Sequence, residues 1–331
     1  MANVISSITA PELAFAANTS ILKAQRALRK VSMFATDFSA EAAQLGSTMM
    51  VQFFDDGEAD NYDEETNNYG HADGSSSMVP VTFTYHPKKT FALKPTDTLE
   101  SVNGQKFFAG AGEAIGRAVS RAIFKTVSQQ ITSTLIKNDP EAVDMVVDAT
   151  GRKTGTLLSF GAWNEAVFGT GAFSKKAVST KCREYCDAAE IDAGECVLML
   201  NSKAYGEVLA DLDANAYGGP EAIRSGMIEG LYGFGAVMEN DFLLKNENLV
   251  GAIVPRNAIG VAGRTVPILN PHIVIDSGTV TDEGSGLTLT FRRIGDANTD
   301  RTAMTGEALF GAKLLQPTKI VRIVSATPSG E

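Results

Sequence analysis

One stretch of this chain repeats an apolar residue at every fourth position: Ala111, Ile115, Val119, Ile123, Val127, Ile131 and Leu135. Two places ahead of it runs a second series with the same spacing, Glu113, Arg117, Arg121, Lys125, Gln129 and Ser133, which is polar throughout. A strand reverses its face at every residue and cannot keep two such series apart, whereas a helix can. Each helical residue turns roughly 100°, so a four-residue step drifts by about 40°. Both stripes therefore wind slowly around one long helix over 107–137, and the apolar one can follow a twisted sheet beneath it. Glu113 is placed to pair with Arg117, and Asn138, Asp139 and Pro140 stop the helix.

The same stretch contains "GAGEAIG" at 110–116, which approaches a dinucleotide fingerprint. Its spacing is G-x-G-x-x-x-G rather than G-x-G-x-x-G, and no clear strand precedes it, so close helix packing explains these glycines better. No G-x-x-x-x-G-K-[ST] loop occurs, which removes NTP hydrolysis of that type.

The chain has 331 residues, 44% hydrophobic and 21% charged, a globular composition with room for two domains or one core with appendages. Its formal net charge is −10 and its pI about 5.0. Averaged over its surface such a protein repels polyanions, which argues against a tight grip on DNA but not against living beside it. "MANVISSITAPELAFA" lacks the basic start of a signal peptide, and "CVLML" and "LVGAIV" are far too short to span a bilayer. The second residue is Ala, so the myristoylation pattern is absent. A soluble, cytosol-made protein with no membrane partner is expected.

Residues 1–45 read as an arm carrying a short helix, "ILKAQRALRKV", capped by Thr19 or Ser20 and bearing Lys23, Arg26, Arg29 and Lys30. A solvated helix face and a contact surface account equally for that basic patch. "STMMVQFF" at 47–54 reads as a strand. After an acidic, glycine-containing loop comes "MVPVTFTYHPKKTFALK", in which Val79, Val81, Phe83 and Tyr85 share a face that Phe91 and Leu93 continue. Pro80 and Pro87 place this run at a sheet edge or in a free ribbon. Taken as one strand it extends on the order of 50 Å, and such a ribbon needs another surface to lie on. Residues 174–280 read as an α/β unit: a helix over "SKKAVSTKCREYCDAAE", a buried strand "ECVLMLN", and a helix "SKAYGEVLADL" capped by Ser202. "GLTLTFRR", "EALFGAKLL" and "KIVRIVSA" read as closing strands.

Chemistry is hard to find. Cys182 and Cys186 lie four apart on one helical face with no nearby His, so small apolar filler is a better reading than a metal or redox site. Asp55, Asp56, Glu58 and Asp60 do not match the EF-hand spacing, and a solvated charged loop explains them. His71, His86 and His272 sit by no recognised nucleophile motif. No catalytic, cofactor-binding or metal site is expected, and the chain is not expected to be an enzyme.

The order of elements (basic arm, long ribbon, long winding helix, mixed segment, α/β unit, returning strands) resembles the HK97-type major capsid proteins of tailed bacteriophages. In "IRSGMIEGLYGFGAVMENDFL", Gly226, Ile228, Gly233, Phe234, Val237 and Asn240 resemble that family's glycine run and following strand, with the middle glycine displaced to Gly230 where Glu229 stands. "VTFTYHPKKTFAL" is similar to its second E-loop strand, and "NLVGAIVPRNAIGVAGR" to a strand-turn-helix of its A-domain. "GLTLTFRRIGDANTDRTAMTGEALFGAKLL" is similar to the closing strands of its P-domain. The resemblance covers roughly residues 40–325 as an architecture.

It implies an α+β chain of the HK97-like capsid fold. The N-terminal arm falls at 1–45, and the E-loop β-hairpin with its flanking segment at 46–106. The long spine helix and first part of the P-domain follow at 107–172, the A-domain at 173–280, and the rest of the P-domain with the C-terminus at 281–331. The function it implies is an icosahedral shell of hexamers and pentamers around double-stranded DNA, assembled in the host cytoplasm, with a separate scaffolding protein and a portal. Inter-subunit contacts are then expected at Lys23, Arg26, Arg29, Val81, Phe83, Tyr85, Gly226, Gly233 and Phe234. Arg117, Arg121 and Lys125 are expected either to face packaged DNA, without sequence specificity, or to be buried charges against the P-domain. Some relatives crosslink a Lys to an Asn; the acidic tip here has no Lys between Asp55 and Ser77, so no covalent mesh is expected. The alternatives are an encapsulin-like compartment shell, a tail-tube or other virion protein, and a cytosolic hydrolase built on a scattered His and Ser.

Overall fold

The computed structural model describes residues 5–6, 11–39, 48–54, 76–93, 104–131, 164–168, 182–183, 186, 191–210, 227–229, 233–241, 249–282, 284–296, 301–316 and 319–325. The striped segment is one helix, α2, over Gly104–Ser128, followed by a tighter 3-10 turn at Gln129–Ile131. Ala111, Ile115, Val119, Ile123, Val127 and Ile131 are all buried, while Arg117, Arg121 and Lys125 are exposed. The helix begins three residues before the expected start; Leu135 and the stop at 138–140 lie outside the described residues.

The stripe is covered first by another helix. Helix α1 spans Pro11–Phe34, much longer than the expected short helix over 21–31. Proline at its first position loses nothing, because the first-turn N–H has no helical partner there anyway. Ala16, Ala17, Ile21, Ala24, Leu28, Val31 and Phe34 recur at helical spacing and are buried in the same core as the α2 stripe. The expected arm is therefore, in its helical part, a wall of the central core. Thr19 and Ser20 are not caps but mid-helix residues: Thr19 bonds back to the Phe15 carbonyl, and Ser20 is fully buried.

Small residues let the two helices touch. A Cβ added at Gly112 would overlap the Ala16 carbonyl, and one at Gly116 would overlap the Ser20 carbonyl. Gly112 and Gly116 of "GAGEAIG" thus serve close helix packing, while Gly110 is exposed and meets nothing. Further along, Phe34 meets Phe124 edge-to-face at 6.2 Å. Burying each large apolar side chain contributes ~1.5–3 kcal/mol, so this seam is a major part of what holds the fold.

The described strands form four sheets. In the first, β1 (Ile5–Ser6), β12 (Val274–Thr281), β13 (Thr288–Asp296), β14 (Arg301–Glu307) and β5 (Lys88–Leu93) lie in that order. The second has six strands: β6 (Asn164–Phe168), β16 (Val321–Ser325), β10 (Leu249–Pro255), β7 (Cys196–Leu200), β9 (Ala236–Glu239) and β8 (Met227–Glu229). The third has β15 (Leu309–Leu314), β11 (Ile259–Arg264) and β2 (Thr36–Asp37), and the fourth is the hairpin of β3 (Thr48–Phe54) with β4 (Ser76–Thr82). The β12–β13 pairing crosses the expected boundary at 280, and β16 returns from the C-terminal segment to pair with β10. Both sheets therefore draw on segments from either side of that boundary.

"MVPVTFTYHPKKTFALK" is not one long strand. It divides into β4, paired with β3, and β5, paired with β14 at the edge of the five-stranded sheet. Between them, Tyr85 exchanges backbone hydrogen bonds with Phe310 at 3.1 and 3.0 Å, and the Ala308 N–H donates to the Pro87 carbonyl at 3.1 Å. Two prolines and this bridge turn the chain from one sheet into another. Alternation alone reports which side faces inward, not which strand lies alongside.

Helix α3 (Ser202–Ala210) is capped by Asn201 rather than by Ser202: the Asn201 side chain accepts from the Ala204 N–H at 2.8 Å, and the Ser202 hydroxyl donates to Asp241 instead. The end of α2 is tied to the six-stranded sheet through Asn240, which is fully buried. Its side-chain amide donates to the Ser128 hydroxyl at 3.0 Å, and its backbone N–H donates to the Leu200 carbonyl at 2.8 Å.

Candidate assembly surfaces

Helix spacing arrays the cations of α2. Each four-residue step rises about 6 Å along the axis, so Arg117, Arg121 and Lys125 form an exposed row opposite the buried stripe. They are not charges buried within their own chain. Glu113 heads the row, 3.5 Å from Arg117 and 3.5 Å from Lys23 of α1. All three side chains are substantially exposed, so each pair contributes ~0–1 kcal/mol and the cations stay available to other anions. Arg29 is exposed, and the side chain of Arg26 lies outside the described residues. Lys30 is committed inward: its ammonium lies 3.3 Å from the Glu239 carbonyl and 5.8 Å from the centre of the Phe124 ring.

The hairpin has two unlike faces. Met49, Val51 and Val81 are buried with Ala262 and Leu315. On the opposite face Met50 and Met78 are 53% and 59% exposed. Val81 is 0% exposed, so the expectation of a contact residue there is corrected: it anchors the hairpin to its own chain. Phe83 and Tyr85 are half-buried on the same inward side, and Tyr85 stacks on Phe310 at 5.4 Å. The outward-facing methionines are what a neighbour would meet, and inward/outward alternation in the sequence could have found them. The acidic tip lies outside the described residues.

In the glycine-rich stretch, β8 and β9 pair as an antiparallel hairpin. Gly233 has φ 82°, a conformation that side-chain-bearing residues rarely adopt. A Cβ on Gly235 would come 2.6 Å from the Gly194 carbonyl oxygen, so that glycine permits close backbone approach. Gly226 lies outside the described residues. Phe234 is 1% exposed and packs with Cys182 and Cys186, which corrects its expected role as a contact residue. Burial pushes the Cys196 thiol up to about 12 and raises that of Cys182 as well. Cys182 and Cys196 therefore stay protonated at neutral pH, and Cys186 is buried beside them in the same core cluster.

At the root of the hairpin lies a charged cluster that the sequence alone does not assemble. Glu307, at the end of β14, has a carboxylate only 7% exposed. One oxygen sits 2.8 Å from His86 Nε2, and the other 2.9 Å from Arg292 Nε, a contact at ion-pair distance without hydrogen-bond alignment. The Arg292 guanidinium also donates to the Val266 and Pro267 carbonyls at 2.6 and 3.0 Å. The cluster joins the β4–β5 connection, β13 and the β11–β12 loop. That loop is a second feature missed from the sequence: Ile268, Leu269 and Ile273 in it, and Ile275 at the start of β12, are exposed. The only sequence signal was an apolar run between prolines, "VPILNPHIVI".

Among the described residues no group of three or more His, Cys, Asp or Glu side chains is placed to hold a metal ion. No described helix is long and apolar enough to cross a membrane.

No protein-family model matches the sequence, and no curated protein matches it. Solved structures do. A capsid structure of the cyanophage P-SCSP1u superposes with a TM-score of 0.54 at 11% identity, over 88% of this chain and 86% of that one. The capsid of an empty GTA particle gives 0.52 at 13% identity, over 91% and 90%. The mature capsid of bacteriophage PhiM1 gives 0.52 at 8% identity, over 89% and 85%. The fold is the expected one: α+β, of the HK97-like capsid type.

Proposed function

We propose that this chain, built on the HK97-like capsid fold, is the major capsid protein of a tailed phage, assembling through hexamers and pentamers into an icosahedral shell around double-stranded DNA. The observation that carries this reading is the likeness to the P-SCSP1u capsid over 88% of this chain and 86% of the other. The hairpin supports it: on the face turned away from its own chain, exposed Met50 and Met78 are left for a neighbour. Isolated two-stranded ribbons are marginal in water, and contact area spread along a ribbon leaves no single large apolar patch on the free subunit. Lys23, Arg29 and Gly233 remain proposed contact positions. In this reading a separate scaffolding protein directs closure, a portal occupies one vertex, and assembly takes place in the host cytoplasm.

The test is expression of the chain with and without a candidate scaffolding protein, followed by negative-stain microscopy. Closed shells are expected in its presence. A monodisperse monomer, with turnover lost on changing one histidine, would instead favour a hydrolase, and tubes would favour a tail protein. Within the same experiment, deleting 58–75 leaves both strands joined and removes most of the acidic tip. It is expected to lower shell yield; unchanged yield and stability would show the tip to be dispensable.

The exposed row Arg117, Arg121 and Lys125 is proposed to face the packaged DNA. The contact would be to phosphates and carry no sequence preference. Changing all three to glutamine is expected to weaken DNA retention in filled particles at low salt and to flatten its dependence on salt, while leaving the melting of the free subunit unchanged, since exposed charges contribute little to the fold. Retention identical to the parent across salt concentrations would count against it. Particles holding protein rather than nucleic acid would indicate an encapsulin-like compartment.

A further inference from the structure

We propose that the loop 266–273, between β11 and β12, is a self-contact surface that meets the same loop of another copy of this chain in the assembled particle. The proposal rests on the capsid reading above. Its first ground is exposure: Leu269 is 91% exposed, Ile268 and Ile273 are 45% and 42% exposed, and Ile275, just beyond the loop in β12, is 57% exposed. Large apolar side chains gathered on a surface mark an interaction site.

The second ground is that the loop is held. Arg292 grips its base through the Val266 and Pro267 carbonyls at 2.6 and 3.0 Å, and the Val266 side chain is buried. At the other end the Gly295 N–H donates to the Ile273 carbonyl at 2.8 Å. Pro267 and Pro271 restrict the backbone on either side of Leu269, and the Asn270 side chain accepts from the His272 N–H at 3.2 Å. A surface fixed before binding loses little conformational freedom on binding.

Charge selects the occupant. The other exposed large apolar residues of the described chain form two pairs. Phe15 and Leu22 lie on α1 with Lys23 and Arg29, both exposed cations. Met50 and Met78 lie on the hairpin whose connecting segment, 55–75, is acidic and holds neither Lys nor Arg. Each of these meeting its own image would bring like charges together, whereas each complements the other. The 266–273 loop carries one titratable side chain, His272, and is flanked by the opposite charges of Arg264 and Asp276. It can meet its own image without repulsion. Symmetric assemblies of identical chains bring the same patch together around their axes.

The test uses the native cysteines' burial. Cys182, Cys186 and Cys196 are 0% exposed, so Leu269→Cys in the full chain introduces the accessible thiol. Assembled particles treated with a short bismaleimide are expected to give covalent dimers on a denaturing gel, while dilute unassembled protein stays monomeric. Intact particles that yield monomer alone would overturn the proposal. A parent chain that forms no particles under any condition would overturn the capsid reading itself, a separate result. In a second arm, Leu269→Glu is expected to raise the critical concentration for assembly by about tenfold or more, with the melting of the free subunit unchanged because the side chain is exposed. Assembly at the parent's concentration would remove the loop from any interface.

Discussion

Replacing Gly116 with leucine is expected to abolish soluble, folded protein, or to lower its urea midpoint far more than an ordinary core substitution does. Overpacking a core costs typically ~1–3 kcal/mol when side chains can shift. Here the obstacle is the Ser20 carbonyl on α1, which is backbone and cannot rotate aside. The helices must part, and parting them uncovers Ile115 and Val119 on one side and Ile21 and Leu28 on the other. Against a total stability of roughly 5–15 kcal/mol, that loss is decisive. Gly110 supplies the control: it is exposed and nothing lies within 4 Å of an added Cβ. Gly110→Ala is expected to be neutral or to gain up to ~1 kcal/mol from helix propensity. Equal midpoints for the two variants would mean that α1 and α2 do not cross at Gly116.

Arg292→Met carries the second large effect. It leaves the Glu307 carboxylate, 7% exposed, facing the half-exposed His86 without its guanidinium, and it releases the two carbonyls at the base of the 266–273 loop. Removing one member of a buried pair costs about 3–5 kcal/mol, most of it the penalty of an uncompensated buried charge. Replacing both, as Arg292→Met with Glu307→Leu, is expected to recover a large part of that loss, because the charge is then gone. Thermal melts of the two single variants and the double variant measure this directly. If the double variant melts at or below the lower of the single ones, the pair is not coupled in the way its geometry implies.

The same two sites separate what could be read along the chain from what could not. The stripe of α2 and its opposing cations were legible because helical period is a property of neighbouring residues: 100° per residue sorts side chains whatever lies nearby. The role of the glycines at 112 and 116 was legible for the same reason, since small residues one turn apart admit another backbone. The buried strand β7, with all five residues of Cys196–Leu200 inside, declared itself by an unbroken apolar run. The HK97-like order of elements was likewise readable, because each element left a local pattern and the patterns came in sequence.

Pairing left no such pattern. β14 reads "RTAMTGE", with weak strand propensity, and is a strand because β13 and β5 flank it. The alternation from Val79 to Leu93 marked an inward face correctly but could not show that β4 and β5 belong to different sheets. Val81 and Phe234 read as contact residues, yet each is buried by partners far along the chain: Leu315 and Ala262 for one, Cys182 and Cys186 for the other. Glu307, Arg292 and His86 meet only once three segments converge, and Leu269 is exposed only because the fold leaves it uncovered. Local period is written in the order of residues; burial, pairing and the meeting of charges depend on which distant segment arrives alongside, and chain order does not specify that.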